Sequence, residues 1–127
     1  MKTLKITALA AAVFVASSVS QVAIADVEAN IGVTSNYLWR GVSQSGDSAS
    51  VSGGIDYSNE SGFYAGTWVG SLSEGAGAET DFYLGFGGES GGLGYDVGYI
   101  YYAYTDLNDG NFGELYFNGN VGAFGFG

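Results

Sequence analysis

The sequence predicts an all-β fold, an antiparallel up-and-down sheet of about six strands, and three observations predict it. Apolar and polar residues alternate with a period of two over most of residues 27–121, as in strands that have two different faces. Short glycine-containing turns alternate with longer polar loops. The 127 residues include 23 Gly, 10 Tyr and 8 Phe but no Pro, which favours strands and tight turns over helices.

The first 25 residues have the layout of a secretory signal peptide. Lys2 and Lys5 precede an apolar core over residues 6–16, and Ala23-Ile24-Ala25 forms a small-x-small cleavage site before Asp26. The core is shorter than the roughly 18 apolar residues of a membrane-spanning helix. We therefore expect export, cleavage after Ala25 and a single mature domain over residues 26–127.

Three runs of alternation occupy the first half of the mature region. The first has an apolar phase on odd positions and a polar phase that ends with Arg40; the apolar members are Val27, Ala29, Ile31, Val33, Tyr37 and Trp39. The second places Val51, Ile55 and Tyr57 opposite serines and Asp56, and it ends at a turn over 59–62. The third, 63–71, carries bulky residues in both phases, so its faces remain unassigned.

Three further runs follow. The fourth sets Phe82, Leu84 and Phe86 against a phase that begins with Asp81, and it turns at 89–92. The fifth, 93–104, is the most regular, with Tyr95 and Tyr101 in one phase and Asp96 in the other. The sixth sets Leu115, Phe117 and Val121 against Glu114, Tyr116, Asn118 and Asn120.

The connections predict that this sheet is a transmembrane β-barrel. Polar loops at 43–47, 72–79 and 105–111 alternate with tight turns. Outer-membrane barrels have short periplasmic turns and longer outer loops, and a chain that starts in the periplasm places its first connection outside. A soluble β-sandwich would also alternate, but it does not predict aromatic residues at both ends of the strands.

The aromatic and charged residues suggest roles in such a barrel. Trp39 and Tyr101 at the loop ends, with Tyr57 and Tyr95 at the turn ends, are candidates for the two aromatic girdles. The lumen-facing candidates share the polar phase: Arg40, Asp56, Asp81 and Asp96. We expect Arg40 to face the lumen near the outer mouth and to pair with one of these aspartates, although a solvated arginine at a loop edge is the alternative.

The charge and the missing residue types exclude several functions. Residues 26–127 contain Arg40 as their one basic residue against thirteen acidic ones, a net charge of −12, which disfavours nucleic-acid binding. The chain has no His and no Cys, so it lacks a Ser-His-Asp triad, a thiolate nucleophile and a disulfide. We expect neither an enzyme nor a cofactor or metal site.

Four segments resemble the TorF-type porin family of proteobacteria: SNYLWRGVSQS, GGIDYSNESGFYAGTWVGS, ETDFYLGFGGE and YDVGYIYYAY. The resemblance extends from about Val27 to about Phe117 and implies an outer-membrane β-barrel without specifying a solute. Members of that family are longer, and the smallest single-chain barrels have eight strands. We therefore expect these residues to be part of a larger barrel.

The expected function is passive diffusion of small hydrophilic solutes, with a preference for cations, in the outer membrane of a Gram-negative cell. The expected partners are outer-membrane lipid and those solutes, and self-association is left open. Two alternatives remain: a non-conducting outer-membrane barrel that serves as an anchor or adhesin, and a soluble secreted β-sandwich that binds a ligand.

Overall fold

A computed structural model describes residues 25–107 and 109–127. The predicted signal peptide lies outside the described residues, apart from Ala25. The described part of the chain forms nine strands: β1 (Ala25–Thr34), β2 (Leu38–Trp39), β3 (Val42–Ser43), β4 (Ser50–Asn59), β5 (Phe63–Ser71), β6 (Ala78–Ser90), β7 (Leu93–Tyr104), β8 (Phe112–Val121) and β9 (Phe124–Phe126). The described residues contain no helix, and hence none that is long and apolar enough to cross a membrane.

Seven of the strands form one antiparallel sheet in the order β1-β4-β5-β6-β7-β8-β9. Each strand pairs with the next one along the chain, apart from the separate β2–β3 hairpin in the first connection. The predicted all-β, antiparallel up-and-down sheet is therefore confirmed. The prediction of about six strands missed β9, whose three residues are too few to show a period of two.

The first run does not continue to Arg40 as a single strand. β1 ends at Thr34, and Leu38 and Trp39 pair with Ser43 and Val42 across a two-residue turn. Arg40 and Gly41 occupy that turn with φ angles of 48° and 85°, which matches the type I′ geometry that twisted hairpins favour. The placement of Arg40 on the first strand was therefore wrong, because two positive φ angles in succession end a strand.

The strand register separates the sheet into two chemically different faces, since directly paired residues project to the same side. The apolar face carries Val27, Ile31, Val33, Ile55, Val69, Phe82, Leu84, Phe86, Val97, Tyr99, Leu115 and Phe117. The polar face carries Asn30, Ser52, Asp56, Tyr64, Trp68, Glu79, Asp81, Tyr83, Asp96, Tyr102, Glu114 and Tyr116. The register also assigns the third run, because Ala65 pairs with Leu84.

Burial is inverted relative to a water-soluble protein. Val27 and Leu115 on the apolar face are 69% and 82% exposed, whereas Glu79 on the polar face is only 2% exposed. Within residues 26–107 and 109–127, the buried hydrophobic residues are two tyrosines, Tyr37 and Tyr102. Soluble domains bury aliphatic residues and expose carboxylates, so the apolar face requires an apolar neighbour outside the described sheet.

Tyrosine rings lie across glycines on the polar face. Gly66 is opposite Tyr83, Gly85 is opposite Tyr64, and Gly98 is opposite Tyr116. A Cβ atom at any of these glycines would overlap the facing phenol. The glycines let large rings lie flat against the sheet, which brings their hydroxyl groups to more distant strands.

This packing predicts that Gly85→Ala destabilises the sheet. The added Cβ would lie 2.8 Å from the Val97 carbonyl oxygen and overlap the Tyr64 phenol, and overpacking of this kind costs about 1 to 3 kcal/mol. Gly32→Ala is the matched control, because its Cβ would have only the Ser52 hydroxyl at 3.8 Å. Guanidinium titration of the folded protein measures the free energy of unfolding of both variants. Equal values would contradict the packing of Tyr64 against Gly85.

Candidate functional site

The polar face is cross-linked by hydrogen bonds between tyrosines and carboxylates. The Tyr83 hydroxyl on β6 donates to Asp56 on β4, and the Tyr64 hydroxyl on β5 is bonded to Asp96 on β7. The Tyr64 and Tyr116 hydroxyls are also hydrogen-bonded to each other. Each phenol therefore reaches past at least one intervening strand, and two of the three predicted lumen aspartates have phenolic partners.

The connection between β1 and β4, residues 35–49, folds back over the loop end of the polar face and is called the first loop here. Its Tyr37 hydroxyl donates to Glu79 Oε1 at 2.7 Å. The Tyr37 ring packs on Trp68, with 5.3 Å between ring centroids. Tyr37 is only 8% exposed, so the first loop inserts an aromatic side chain into the polar face.

Hydrogen bonds within the first loop hold Tyr37 in this position. The Tyr37 backbone N–H donates to Ser45 Oγ at 2.9 Å, and the Ser45 hydroxyl donates to the Ser48 carbonyl at 2.6 Å. Gln44 N–H donates to the Tyr37 carbonyl at 2.7 Å, and Ser73 N–H donates to the Gln44 carbonyl at 2.9 Å. The last bond attaches the first loop to the neighbouring loop between β5 and β6.

Arg40 extends from the tip of this loop across the polar face to β8. Its Nη2 lies 2.8 Å from Glu114 Oε2 on β8, and its guanidinium stacks on Trp39 at 4.1 Å from the ring centroid. The expected partner, one of Asp56, Asp81 and Asp96, was therefore wrong. The hairpin displaces Arg40 from the strand phase, and a partner reached through a loop cannot be inferred from that phase.

The structure places the other candidates as follows. Asp56, Asp81 and Asp96 lie on the polar face as the alternation predicts, and Tyr57, Tyr95 and Tyr101 lie on the apolar face. Trp39 does not join them, because it packs edge-on against Tyr102 on the polar face, with ring centroids 6.2 Å apart. Its assignment to a girdle assumed a continuous first strand.

Sequence reasoning missed three residues of this arrangement. Tyr37 shares the odd phase of the apolar run, Glu79 was assigned to a loop, and Glu114 was recognised only as part of a polar phase. Glu79 could have been included by extending the fourth run two residues toward its N-terminus, since Glu79 and Asp81 have the same parity. No local pattern marks the docking of Tyr37.

The Tyr37 phenol remains a donor under ordinary conditions. Burial raises the pKa of Tyr37 well above its usual value, and its hydrogen bond to the Glu79 carboxylate raises this pKa further. The phenol therefore stays protonated at neutral pH, and the charge-assisted hydrogen bond that it donates to Glu79 persists. This bond is buried, whereas the Arg40 side chain is 60% exposed in its ion pair with Glu114.

The Tyr37–Glu79 hydrogen bond is buried and the Arg40–Glu114 ion pair is exposed, so we expect removal of the first to weaken docking of the first loop more than removal of the second. Arg40 is the only Lys or Arg in residues 26–127, so trypsin can cleave this region only after Arg40. Cleavage requires the hairpin to open, and its rate reports the open population. Tyr37→Phe should raise the cleavage rate at least about tenfold, because a hydrogen bond to a charged group contributes roughly 1.5 to 3 kcal/mol.

Glu114→Gln should raise the same rate less than about fivefold, since exposed ion pairs contribute at most about 1 kcal/mol. Tyr57→Phe is the control, because Tyr57 lies on the opposite face. Its hydroxyl accepts one long hydrogen bond, from Asn59 Nδ2 at 3.5 Å. A Tyr37→Phe rate equal to that of Tyr57→Phe would show that the phenol does not hold the loop.

Comparison with known proteins gives one match. A family model described as "Bacterial protein of unknown function (Gcw_chp)" matches residues 18–126, which includes every strand of the sheet. No curated protein and no solved structure matches the chain. Because the family model covers most of the sequence, the chain belongs to the Gcw_chp family of bacterial proteins.

Proposed function

We propose that this protein is an outer-membrane β-barrel whose polar face lines a pore for small hydrophilic solutes, with a preference for cations. The observation that carries the proposal is the inverted burial of the sheet. Aliphatic residues on the apolar face, such as Val27 and Leu115, are mostly exposed, while Glu79 and Asp81 are buried on the polar face. Lipid around the sheet and water within it would satisfy both faces.

The strand lengths support this proposal. β4 and β8 have ten residues each, β5 has nine, and β6 and β7 have thirteen and twelve. A tilted strand needs about 9 to 11 residues to cross the hydrocarbon core. The shared architecture is also what the resemblance to TorF-type porins implies, and we propose it for this member of the Gcw_chp family.

A lipid-facing sheet must have both edges paired, because unpaired backbone groups are costly in hydrocarbon. The described sheet has β1 and β9 at its edges. The proposal therefore requires partner strands for both, either from the same polypeptide or from another copy. Self-association remains part of the proposal because another copy could supply these partner strands.

The charges on the polar face favour cations. The acidic side chains on its strands are Asp26, Glu28, Asp56, Glu79, Asp81, Glu89, Asp96 and Glu114. The positive side chain that reaches them is Arg40, through Glu114. A water-filled passage lined by one sign of charge concentrates ions of the opposite sign.

A second candidate function is a non-conducting barrel that anchors or presents the outer loops. One observation favours it: the first loop and the tyrosine network cover much of the polar face, which narrows any passage along it. Conductance separates the two candidates. A soluble secreted β-sandwich would instead have to cover the apolar face with a second protein layer.

The proposed pore predicts the ion selectivity of Arg40 variants. Wild type in planar bilayers should favour cations under a salt gradient, and the preference should fade toward 1 M salt, where the screening length is about 3 Å. Arg40→Ala leaves Glu114 unpaired and should raise the cation preference at low salt. Arg40→Lys keeps the charge and is the matched control.

Ion selectivity is measured from the reversal potentials of all three proteins, in full-length form, after recovery from the outer-membrane fraction. A wild-type protein that prefers anions would contradict the electrostatic argument. Absence of conductance with correct membrane recovery would favour the non-conducting barrel, and recovery in the soluble periplasm would contradict both membrane proposals.

A further inference from the structure

Two carboxylates are buried side by side beneath the first loop. Glu79 and Asp81 lie two residues apart on the polar face of β6 and are 2% and 7% exposed. Glu79 accepts the Tyr37 hydroxyl, but Asp81 Oδ1 has no hydrogen-bond partner among the described residues. A buried carboxylate without a donor or cation is unfavourable, so Asp81 is a position where a positively charged partner would be stabilised.

Aromatic residues surround this pair. Asp81 is paired with Trp68 on β5 and with Tyr102 on β7, the two strands that flank β6. Tyr104 is directly opposite Glu79, and the Tyr37 ring packs on Trp68. Aromatic faces attract cations, most strongly where water is excluded. The chemistry of these walls therefore agrees with that of the two carboxylates.

The described residues supply no cation to this pair. Arg40 is the only Lys or Arg among the described residues, and it pairs with Glu114. The described residues also contain no group of three or more acidic side chains arranged for a metal ion. Two carboxylates with aromatic walls suit an organic cation, whose ammonium group takes the charge contacts while its alkyl part lies against the rings.

We propose that Glu79, Asp81, Trp68 and Tyr102 form a binding site for a small alkylammonium ion. The ammonium group lies against Asp81 Oδ1, beside the Glu79 carboxylate, and the alkyl group lies along Trp68. The inference deepens the proposed pore, because it names a solute class for the outer mouth. Only the role of the site in conduction rests on the proposed pore function. The binding site itself belongs to the sheet whether or not the protein conducts.

The first loop controls access to this site. Tyr37 occupies the space beside Trp68 and binds Glu79, and Asp81 Oδ1 is closed to solvent while the loop is docked. An alkylammonium ion therefore binds when Tyr37 withdraws. A ligand that binds only the open state increases the population of that state, so binding and loop opening are coupled.

Fluorescence of Trp68 measures binding directly. Trp39 and Trp68 are the only two tryptophans, so Trp39→Phe leaves Trp68 as the single reporter. Titration of the full-length folded protein in detergent with n-butylammonium should give a saturable change in Trp68 emission. In the same background, Asp81→Asn should weaken the affinity tenfold or more, because a charge-assisted contact is lost.

Asp96→Asn is the matched control, because Asp96 lies on the same face but is bonded to Tyr64 near the turn end. It should leave the affinity within about twofold, and n-butanol, which has no charge, should produce no saturable change. Glu79→Gln provides a second variant in case Asp81→Asn does not fold. Equal affinities in all variants, or equal responses to n-butanol and n-butylammonium, would overturn the site.

Trypsin cleavage after Arg40 tests the coupling. n-Butylammonium should raise the cleavage rate of wild type and leave that of Asp81→Asn unchanged, and an unchanged or lower wild-type rate would overturn access through loop opening. Neither assay measures conductance. A protein that binds but does not conduct would support the site and contradict the pore, and one that conducts without binding would do the reverse.

Discussion

The structure depends on one constraint: the backbone register that pairs each strand with its neighbour. Because paired residues share a face, the register between β5 and β6 determines that Leu84 lies beside Ala65 and that Tyr83 lies beside Gly66. A shift by one residue would exchange every apolar and polar side chain on a strand. The same register continues across all the strand pairs, so the separation into two faces is a property of the whole sheet.

The polar face accommodates its buried and half-buried acids through tyrosines. Asp56 and Asp96 accept hydrogen bonds from Tyr83 and Tyr64 on other strands, and Glu79 accepts one from Tyr37 in the first loop. Tyrosine suits this role because its ring covers the glycines while its hydroxyl reaches a distant carboxylate. Asp81 is the exception, and its unpartnered oxygen marks the place where the face is chemically incomplete.

The sequence predicted what depends on local periodicity and turn chemistry. The phases of the second, fourth, fifth and sixth runs were read correctly because a period of two directly encodes the side to which a residue projects. It did not predict the β2–β3 hairpin, since the apolar phase continues through Tyr37 and Trp39 while the backbone reverses at Arg40 and Gly41. The contacts of Tyr37 with Glu79 and of Arg40 with Glu114 join residues 42 and 74 positions apart. Docking of this kind leaves no periodic pattern in either segment.

We propose that the apolar face contacts lipid and that the polar face contacts water. The chain has no cysteine, so spin labels can be attached at single sites: Ile55→Cys and Leu115→Cys on the apolar face, with Ser52→Cys and Asn118→Cys on the polar face of the same strands. Collision rates with oxygen and with a water-soluble nickel chelate are then compared for the full-length protein in phospholipid bilayers. We expect oxygen to reach Ile55 and Leu115 preferentially and the chelate to reach Ser52 and Asn118. Chelate access to Ile55 and Leu115 equal to that at Ser52 and Asn118 would contradict it.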